Sequence, residues 1–280
     1  MNRKTAVRFG ALALALCGVW IAYTQQAPQP LEIQKVADDL HVIIGSGGNV
    51  AVLVSDEGVA IVDDKFDRNV PEILAKVKSV TDQPIRFVLN THHHGDHSGG
   101  NAQIGKTAAI IAHENARANV VKNSQPGAPH VTFDDETRLY VGGKEVRALH
   151  LGRGHTNGDA IIYFPQHRVI HTGDMFVRGA PFIDYGNGGS AKEWDKTLAK
   201  VLELDFDTII PGHGAVSKRA DLVQWRKDYA TFRERVREVS RQGKSPEEAA
   251  KLIKTDDLQG WNLSGLQMRS LPELLKEMGN

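Results

Sequence analysis

A chain of 280 residues, 41% hydrophobic and 24% charged, has the profile of a globular protein with one ordinary core, which excludes disordered and fibrous classes. Lys and Arg number 34, as do Asp and Glu, so the formal charge is zero and no basic surplus is present for nucleic acid. The single Cys, Cys17, lies in an N-terminal apolar run, so the rest of the chain can form no disulfide and offers no thiolate to a metal.

The first segment differs in kind from the rest. Arg3, Lys4 and Arg8 precede the apolar run Phe9 to Tyr23, which is the order of a secretory signal. That run is shorter than the roughly 20 residues of a membrane-spanning helix. Residues 1–24 are expected to be a signal peptide or N-terminal anchor, placing the protein in the periplasm or outside the cell, with membrane contact only if the segment is retained. Residues 25–39, opening with Pro28 and Pro30 among three glutamines, read as a linker leading into the domain.

Leu40 to Ile44, Val50 to Ser55 and Val59 to Val62 are short β-branched runs separated by Gly45-Ser46-Gly47-Gly48-Asn49 and Asp56-Glu57-Gly58, so they predict an antiparallel opening sheet. The glycine cluster is not a dinucleotide loop, because that fingerprint requires Gly where Val50 stands. Val70 to Val80 reads as a helix with Pro71 near its start, and Ile85 to Asn90 as a buried strand. Further strands are expected at Ala108 to Ala112, Glu145 to Leu151, Ala160 to Phe164, Arg168 to His171 and Thr208 to Ile210, with a helix across Lys192 to Leu204. The polar stretches Lys122 to Asp135 and Gly179 to Ser190 are expected to form the substrate rim. From Arg219 to Arg241, Leu222, Trp225, Tyr229, Phe232, Val236 and Val239 recur at spacings of 3 and 4. Fewer than four heptads are present, so this helix is expected to lie on a sheet rather than form a coiled coil.

The chemistry is concentrated in Thr91-His92-His93-His94-Gly95-Asp96-His97-Ser98-Gly99-Gly100, where a strand ends. Three imidazoles and a carboxylate in H-x-H-x-D-H spacing suit Zn²⁺, with iron or manganese also compatible. His92 and His94 alternate and can point the same way as the strand ends, while Asp96 and His97 turn back to a second position. His155 in Gly154 to Gly158, Asp174 in Thr172 to Asp174 and His213 in Gly212 to Gly214 each follow a predicted strand beside glycines that allow close approach. A lone loop His or Asp is usually a solvated residue; in this order, after this motif, they complete a two-metal set. His41, His113, His130, His150, His167 and His171 are expected to be structural or exposed, with His150 the nearest to an exception, and His93 to face away from its neighbours.

From Leu40 to Ala215 these motifs resemble the metallo-β-lactamase superfamily. The resemblance implies an α/β fold, a four-layer αβ/βα sandwich spanning residues 40–218, followed here by a C-terminal helical extension, 219–280, packed on it. It implies that His92, His94 and His155 hold one Zn²⁺, that Asp96, His97 and His213 hold a second, and that Asp174 bridges them. Asp63 or Asp64 resembles a family acid that orients ligands without binding metal. Two such ions imply hydrolysis of an amide, ester, lactone or thioester of a small-molecule substrate by a metal-bridging hydroxide, with Asp96 as the catalytic proton acceptor. Many class B β-lactamases have a Cys ligand on the second metal or lack the bridging Asp; here Asp174 occupies that position, as an Asp does in glyoxalase II and lactonases. Arg178, four residues beyond Asp174, is placed to meet a substrate carboxylate. A diiron flavoprotein would need Glu at His94. A mononuclear iron oxidase or sulfur dioxygenase on the same scaffold, or a metal-holding protein without catalysis, are the alternatives left open.

Overall fold

The computed structural model describes residues 30–279 other than 259 and 264. The expected export signal at residues 1–24 lies outside the described residues. Within the stretch read as linker, β1 (Glu32–Lys35) forms an edge strand against β2 (Leu40–Ile44). Four mostly exposed residues carry too short a pattern for that strand to be read from sequence. β3 (Val50–Ser55) and β4 (Gly58–Val62) continue the antiparallel run, and β5 (Ile85–Leu89), β6 (Ala109–His113) and β7 (Val131–Phe133) extend the sheet in parallel.

The second sheet holds β8 (Glu136–Val141), β9 (Lys144–Leu149), β10 (Ile161–Phe164), β11 (Val169–His171), β12 (Thr208–Ile210) and β13 (Ser217–Lys218), side by side in chain order. β8 was not expected. It is an edge strand with Glu136, Arg138 and Tyr140 turned outward, and Glu136 accepts from Arg147 Nε across to β9 at 3.0 Å, so charges stand where an inner strand would be apolar.

Alternation divides the strand residues between two cores. Leu40, Val42, Ala51, Leu53, Val62 and Leu89 pack between the sheets against Val146, Ala148, Ile162, Phe164, Val169 and Ile210. The outward-pointing Ile43, Val50, Val52 and Ile61 meet α1 (Val70–Lys78) through Val70, Ile73 and Val77. This gives the helix–sheet–sheet–helix order, and it explains why strands buried on both faces read as unbroken apolar runs.

Three short helices follow in the first half: α2 (Gly95–Ser98), α3 (Asn101–Ile104) and α4 (Glu114–Lys122). On the far face of the second sheet lie α5 (Ala191–Val201), capped by the Ser190 side chain, and α6 (Arg219–Ser240). All six members of the predicted stripe on α6 are buried, against α5 and the sheet residues Ile161, Ile170 and Ile209. α7 (Pro246–Leu252) and α8 (Leu266–Gly279) close over α6. Trp225 stacks on Tyr229 with ring centroids 5.3 Å apart, and Trp261 lies 5.4 Å from Trp225.

This helical unit grips the loop between β11 and α5. Trp225 Nε1 donates to Gly179 O at 2.8 Å. Glu277 on α8 accepts from Tyr185 Oη and Ser190 Oγ at 2.5 Å each, from Ala191 N at 2.8 Å and from Lys192 N at 3.3 Å. A carboxylate at the first turn of α5 also meets the positive end of that helix. Glu277→Ala leaves these donors without their acceptor and is expected to cost about 1–3 kcal/mol in urea unfolding. An unchanged midpoint and slope would show that the clamp contributes nothing.

Candidate metal centre

The C-terminal ends of β4, β5, β9, β11 and β12 lie at one rim of the two sheets. β5 ends at Leu89, Thr91 follows, and His94 in extended conformation caps α2, which carries Asp96 and His97. His155 comes from the turn between β9 and β10, Asp174 from the turn after β11, and His213 from the turn after β12. All seven residues read from the sequence are brought together.

They fall into two sets. His92 Nε2 and His155 Nε2 lie 3.1 and 2.9 Å from His94 Nδ1. In the second set His213 Nε2 lies 3.2 Å from His97 Nε2 and 3.3 Å from Asp96 Oδ2. Asp174 stands between them: its Oδ1 is 3.2 Å from His97 Nε2 and 3.4 Å from His213 Nε2, and its Oδ2 is 3.6 Å from His155 Nε2. The ligand atoms of each set lie within 4.8 Å of one another.

Ring nitrogens this close can converge on a cation when their lone pairs face inward, and hydrogen bonds at the outer ring atoms favour that tautomer. His97 Nδ1 donates to Asp63 Oδ2 at 2.8 Å, His155 Nδ1 to Phe182 O at 2.7 Å, and His94 Nε2 to Asp184 Oδ2 at 2.8 Å. Thr91 Oγ1, itself donating to Asp63 Oδ2 at 2.8 Å, accepts from His92 Nδ1 at 3.1 Å. With a cation bound, all four imidazoles would therefore turn a bare nitrogen inward. Buried Asp174 Oδ1 accepts no hydrogen bond. Imidazole and carboxylate donors with an unsatisfied buried oxygen fit a borderline divalent ion such as Zn²⁺.

Of the two adjacent acids at the end of β4, Asp63 supports the ligands. Asp64 instead accepts from Gly100 N at 2.8 Å, and burial holds its carboxyl well above the usual range. Buried Asp159 accepts from Thr156 N and Oγ1 and from Gly154 N, fixing the turn that presents His155, and burial raises it to about 7. Two glycines are required by close approach. A Cβ at Gly48 would sit 2.3 Å from His97 Cε1, and one at Gly212 would sit 2.0 Å from Asp174 Oδ1. Lys65 is fully buried; burial lowers its amine to about 8, and Nζ donates to Gly48 O at 2.6 Å, pinning that loop.

Asp184, Thr91 and the Phe182 carbonyl were not anticipated. The available signal was that Asp184 is the sole acid between Gly179 and Ser190. His93 does not turn wholly away: its Nε2 lies 3.8 Å from Asp184 Oδ2. His150 is no ligand; it stacks on His113 at 3.9 Å and bonds Asp159 O through Nδ1 at 2.8 Å. The donor sets open into a cavity of about 730 Å³ lined by Gly179, Ala180, Phe182 and Asp184 of one expected rim. The other expected rim contributes nothing to it. Gln125 and Pro126 line a separate cavity beside Phe66, because β7 draws that segment back into the first sheet.

Residues 43–213, more than half of the chain, match the metallo-β-lactamase superfamily. The chain belongs to the metallo-β-lactamase superfamily. A metallo-beta-lactamase type 2 from Bacillus cereus is 29% identical over 181 residues, covering 62% of this chain and 70% of that protein. The structure of a metallo-beta-lactamase from Pontibacter korlensis aligns with TM-score 0.62 at 20% identity, over 69% of this chain and 95% of that one. The stereoselective inverting sec-alkylsulfatase Pisa1 from Pseudomonas sp. aligns with TM-score 0.70 at 18% identity, over 89% of this chain and 49% of its own. As a superfamily member the protein is a metal-dependent hydrolase acting on small molecules. Among the described residues no helix is long and apolar enough to cross a membrane.

The electrostatics separate the two sets. Burial and the neighbouring imidazoles hold His92 well below the usual histidine range, and burial lowers His155 to about 4, so both are neutral near pH 7. Burial also opposes charge on His97 and His213, yet Asp174, joined by Asp96, raises His97 well above its ordinary value and His213 to about 9. Both shifts favour the protonated imidazole when no metal is bound. Occupation of the second set must displace those protons, so acid competes with it first. Between about pH 8 and pH 6, affinity at the second set is expected to fall by about tenfold or more per pH unit, and at the first set less steeply. Zinc titrations against a chelating dye at several pH values check this; equal slopes for both ions would refute it.

Proposed function

We propose that the protein is a dinuclear zinc hydrolase that cleaves an amide, ester, lactone or thioester. One observation carries the reading: Asp174 turns one oxygen to each donor set, which is the arrangement of a bridge between two ions. His92, His94 and His155 would hold the first, Asp96, His97 and His213 the second. When bound, two such ions lower the pKa of a shared water, polarise the scissile carbonyl and stabilise the leaving group.

The chain supplies the rest. Asp96 lies at the cavity wall and keeps its charge, because the imidazoles of His97 and His213 hold its carboxyl well below the usual range against the cost of burial. It is placed to accept a hydrogen bond from the attacking water and to pass the proton to the leaving group. His213, part-exposed at the cavity mouth and itself 3.4 Å from Asp174 Oδ1, lies 3.3 Å from Asp96 Oδ2 and helps to hold it. Phe182, over His94 and His155 with ring centroids 6.1 and 5.7 Å away, limits water on that side. No Ser or Cys nucleophile is required.

A β-lactam is one of the amides this reading admits, since curated relatives bear that name. Export is part of the same reading, supported by the basic and apolar order of residues 1–24. Deleting that segment is expected to leave a folded, zinc-loaded protein; loss of metal with aggregation would show the cut to be inside the fold.

The test is a hydrolysis screen of zinc-loaded protein against lactones, thioesters, esters and β-lactams, with metal content measured on the same sample. About two zinc per chain with turnover supports the proposal. One iron with oxygen uptake sinks it. Asp96→Asn keeps one ligating oxygen but removes the charge, so kcat is expected to fall on the order of 10²-fold or more while the first zinc stays. Wild-type turnover with a single zinc would make the second set dispensable. Asp174→Asn is expected to weaken the second ion more than the first, because only the second set lacks three histidines; equal loss would contradict the bridge.

A further inference from the structure

The cavity over the donor sets is not closed by the superfamily segment alone. Its far wall comes from Gly260, Asn262, Leu266, Gln267 and Arg269, all beyond the matched residues 43–213. This wall is seated on the ligand-supporting loop, with Gln267 Nε2 donating to Ala180 O at 3.3 Å and Glu277 gripping the next turn. The wall is therefore held in place against the loop that carries Phe182 and Asp184.

The cavity's charges are unevenly matched. Asp96 and Asp174 face the donor sets, and Asp184 is bonded to His94. Arg178 lines the cavity, but its Nη1 lies 3.2 Å from Asp221 Oδ1, so that guanidinium is already paired. Arg269, in the first turn of α8, lines the same cavity and has no carboxylate partner among the described residues. Phe66, Val177, Phe182 and Leu266 supply apolar lining to the same cavity, beside the polar Asn262 and Gln267. A volume of about 730 Å³ takes a small organic molecule whole.

Resting on the hydrolase reading above, we propose that the C-terminal helical unit sets substrate specificity, with Arg269 receiving an anionic group on the far end of the substrate from the scissile bond. The substrate class is an organic anion with an apolar body. A guanidinium presents two parallel N–H donors that match a carboxylate, sulfonate or phosphate. Phe66, Val177, Phe182 and Leu266 take the hydrocarbon between the two polar ends. Arg178, 3.2 Å from Asp221, borders the subsite as a paired guanidinium.

Two matched pairs of probes test this. With zinc-loaded protein, 4-nitrophenyl butyrate and the mono-4-nitrophenyl ester of glutaric acid differ by one carboxylate. Arg269→Ala is expected to lower the ratio of kcat/KM for the anionic over the neutral ester about tenfold, and Arg269→Glu to lower it further. With zinc-loaded and chelator-treated protein alike, 8-anilinonaphthalene-1-sulfonate and N-phenyl-1-naphthylamine share an aromatic body and differ by the sulfonate. Arg269→Glu is expected to weaken the sulfonate about tenfold relative to its neutral counterpart, and Arg269→Lys to restore most of the preference. An unchanged preference in the dye pair overturns the proposal, whether or not the esters are cleaved. If neither ester is cleaved while the dye preference shifts as expected, the hydrolase reading loses support and the anion subsite stands.

Discussion

Asp63 is the point on which both donor sets hang. Its carboxylate, fully buried at the end of β4, accepts from Thr91 N at 2.7 Å, from Thr91 Oγ1 at 2.8 Å and from His97 Nδ1 at 2.8 Å. Through the Thr91 hydroxyl it orients His92 of the first set, and directly it orients His97 of the second. The backbone at Asp63 has φ +61, a conformation that non-glycine residues seldom adopt, and its own N donates to Leu89 O at 3.0 Å. The local strain is held by the sheet on one side and by the hydrogen bonds of the carboxylate on the other. One buried carboxyl group thereby orients two imidazoles, His97 directly and His92 through Thr91.

The rest of the centre extends the same logic over a longer reach. His94 and His155 are oriented by the loop between β11 and α5, through Asp184 and the Phe182 carbonyl. Asn187 Nδ2 donates to Asp184 Oδ2 at 2.6 Å, and Glu277 holds the following turn to α8. These four imidazoles are thus tied in two pairs, His92 and His97 to Asp63 at the end of β4, and His94 and His155 to the loop between β11 and α5, behind which lie the C-terminal helices. The helical unit is mechanically part of the centre although none of its residues belongs to the donor sets. This is also why a cavity wall from residues 260–269 can face the donor sets at all.

Packing of the aromatic residues makes that coupling rigid. Trp194 on α5, Trp225 and Tyr229 on α6 and Trp261 before α8 form one buried cluster, with Trp194 Nε1 donating to Met175 O at 3.1 Å, one residue after Asp174. A cluster of this kind stores several kcal/mol of burial at a place where displacement of a helix would move the turn bearing Asp174. Stability of the far helix layer and geometry of the centre are consequently not separable.

His92, His94, Asp96 and His97, the strands β2 to β6 and β9 to β12 and the stripe on α6 follow local rules, H-x-H-x-D-H spacing, period-two or unbroken apolar runs, and apolar recurrence at 3 and 4, whereas His155, Asp174 and His213 joined the set only by their order after predicted strands and by the family resemblance. β1 and β8 escaped that reading, since edge strands are short or polar and their pairing is decided by a neighbour remote in sequence. The choice between Asp63 and Asp64 was likewise closed to it. Adjacent acids of equal chemistry are separated only by which one the left-handed turn aims at Thr91 and His97. Asp184 and Arg269 belong to the same class, lying respectively 90 residues from His94 along the chain and outside the superfamily segment. The sequence by itself determined which atoms can bind metal, because donor chemistry is a property of side chains; the tertiary structure alone decided which atoms orient them and which wall faces them, because those contacts join segments whose separation no local pattern encodes.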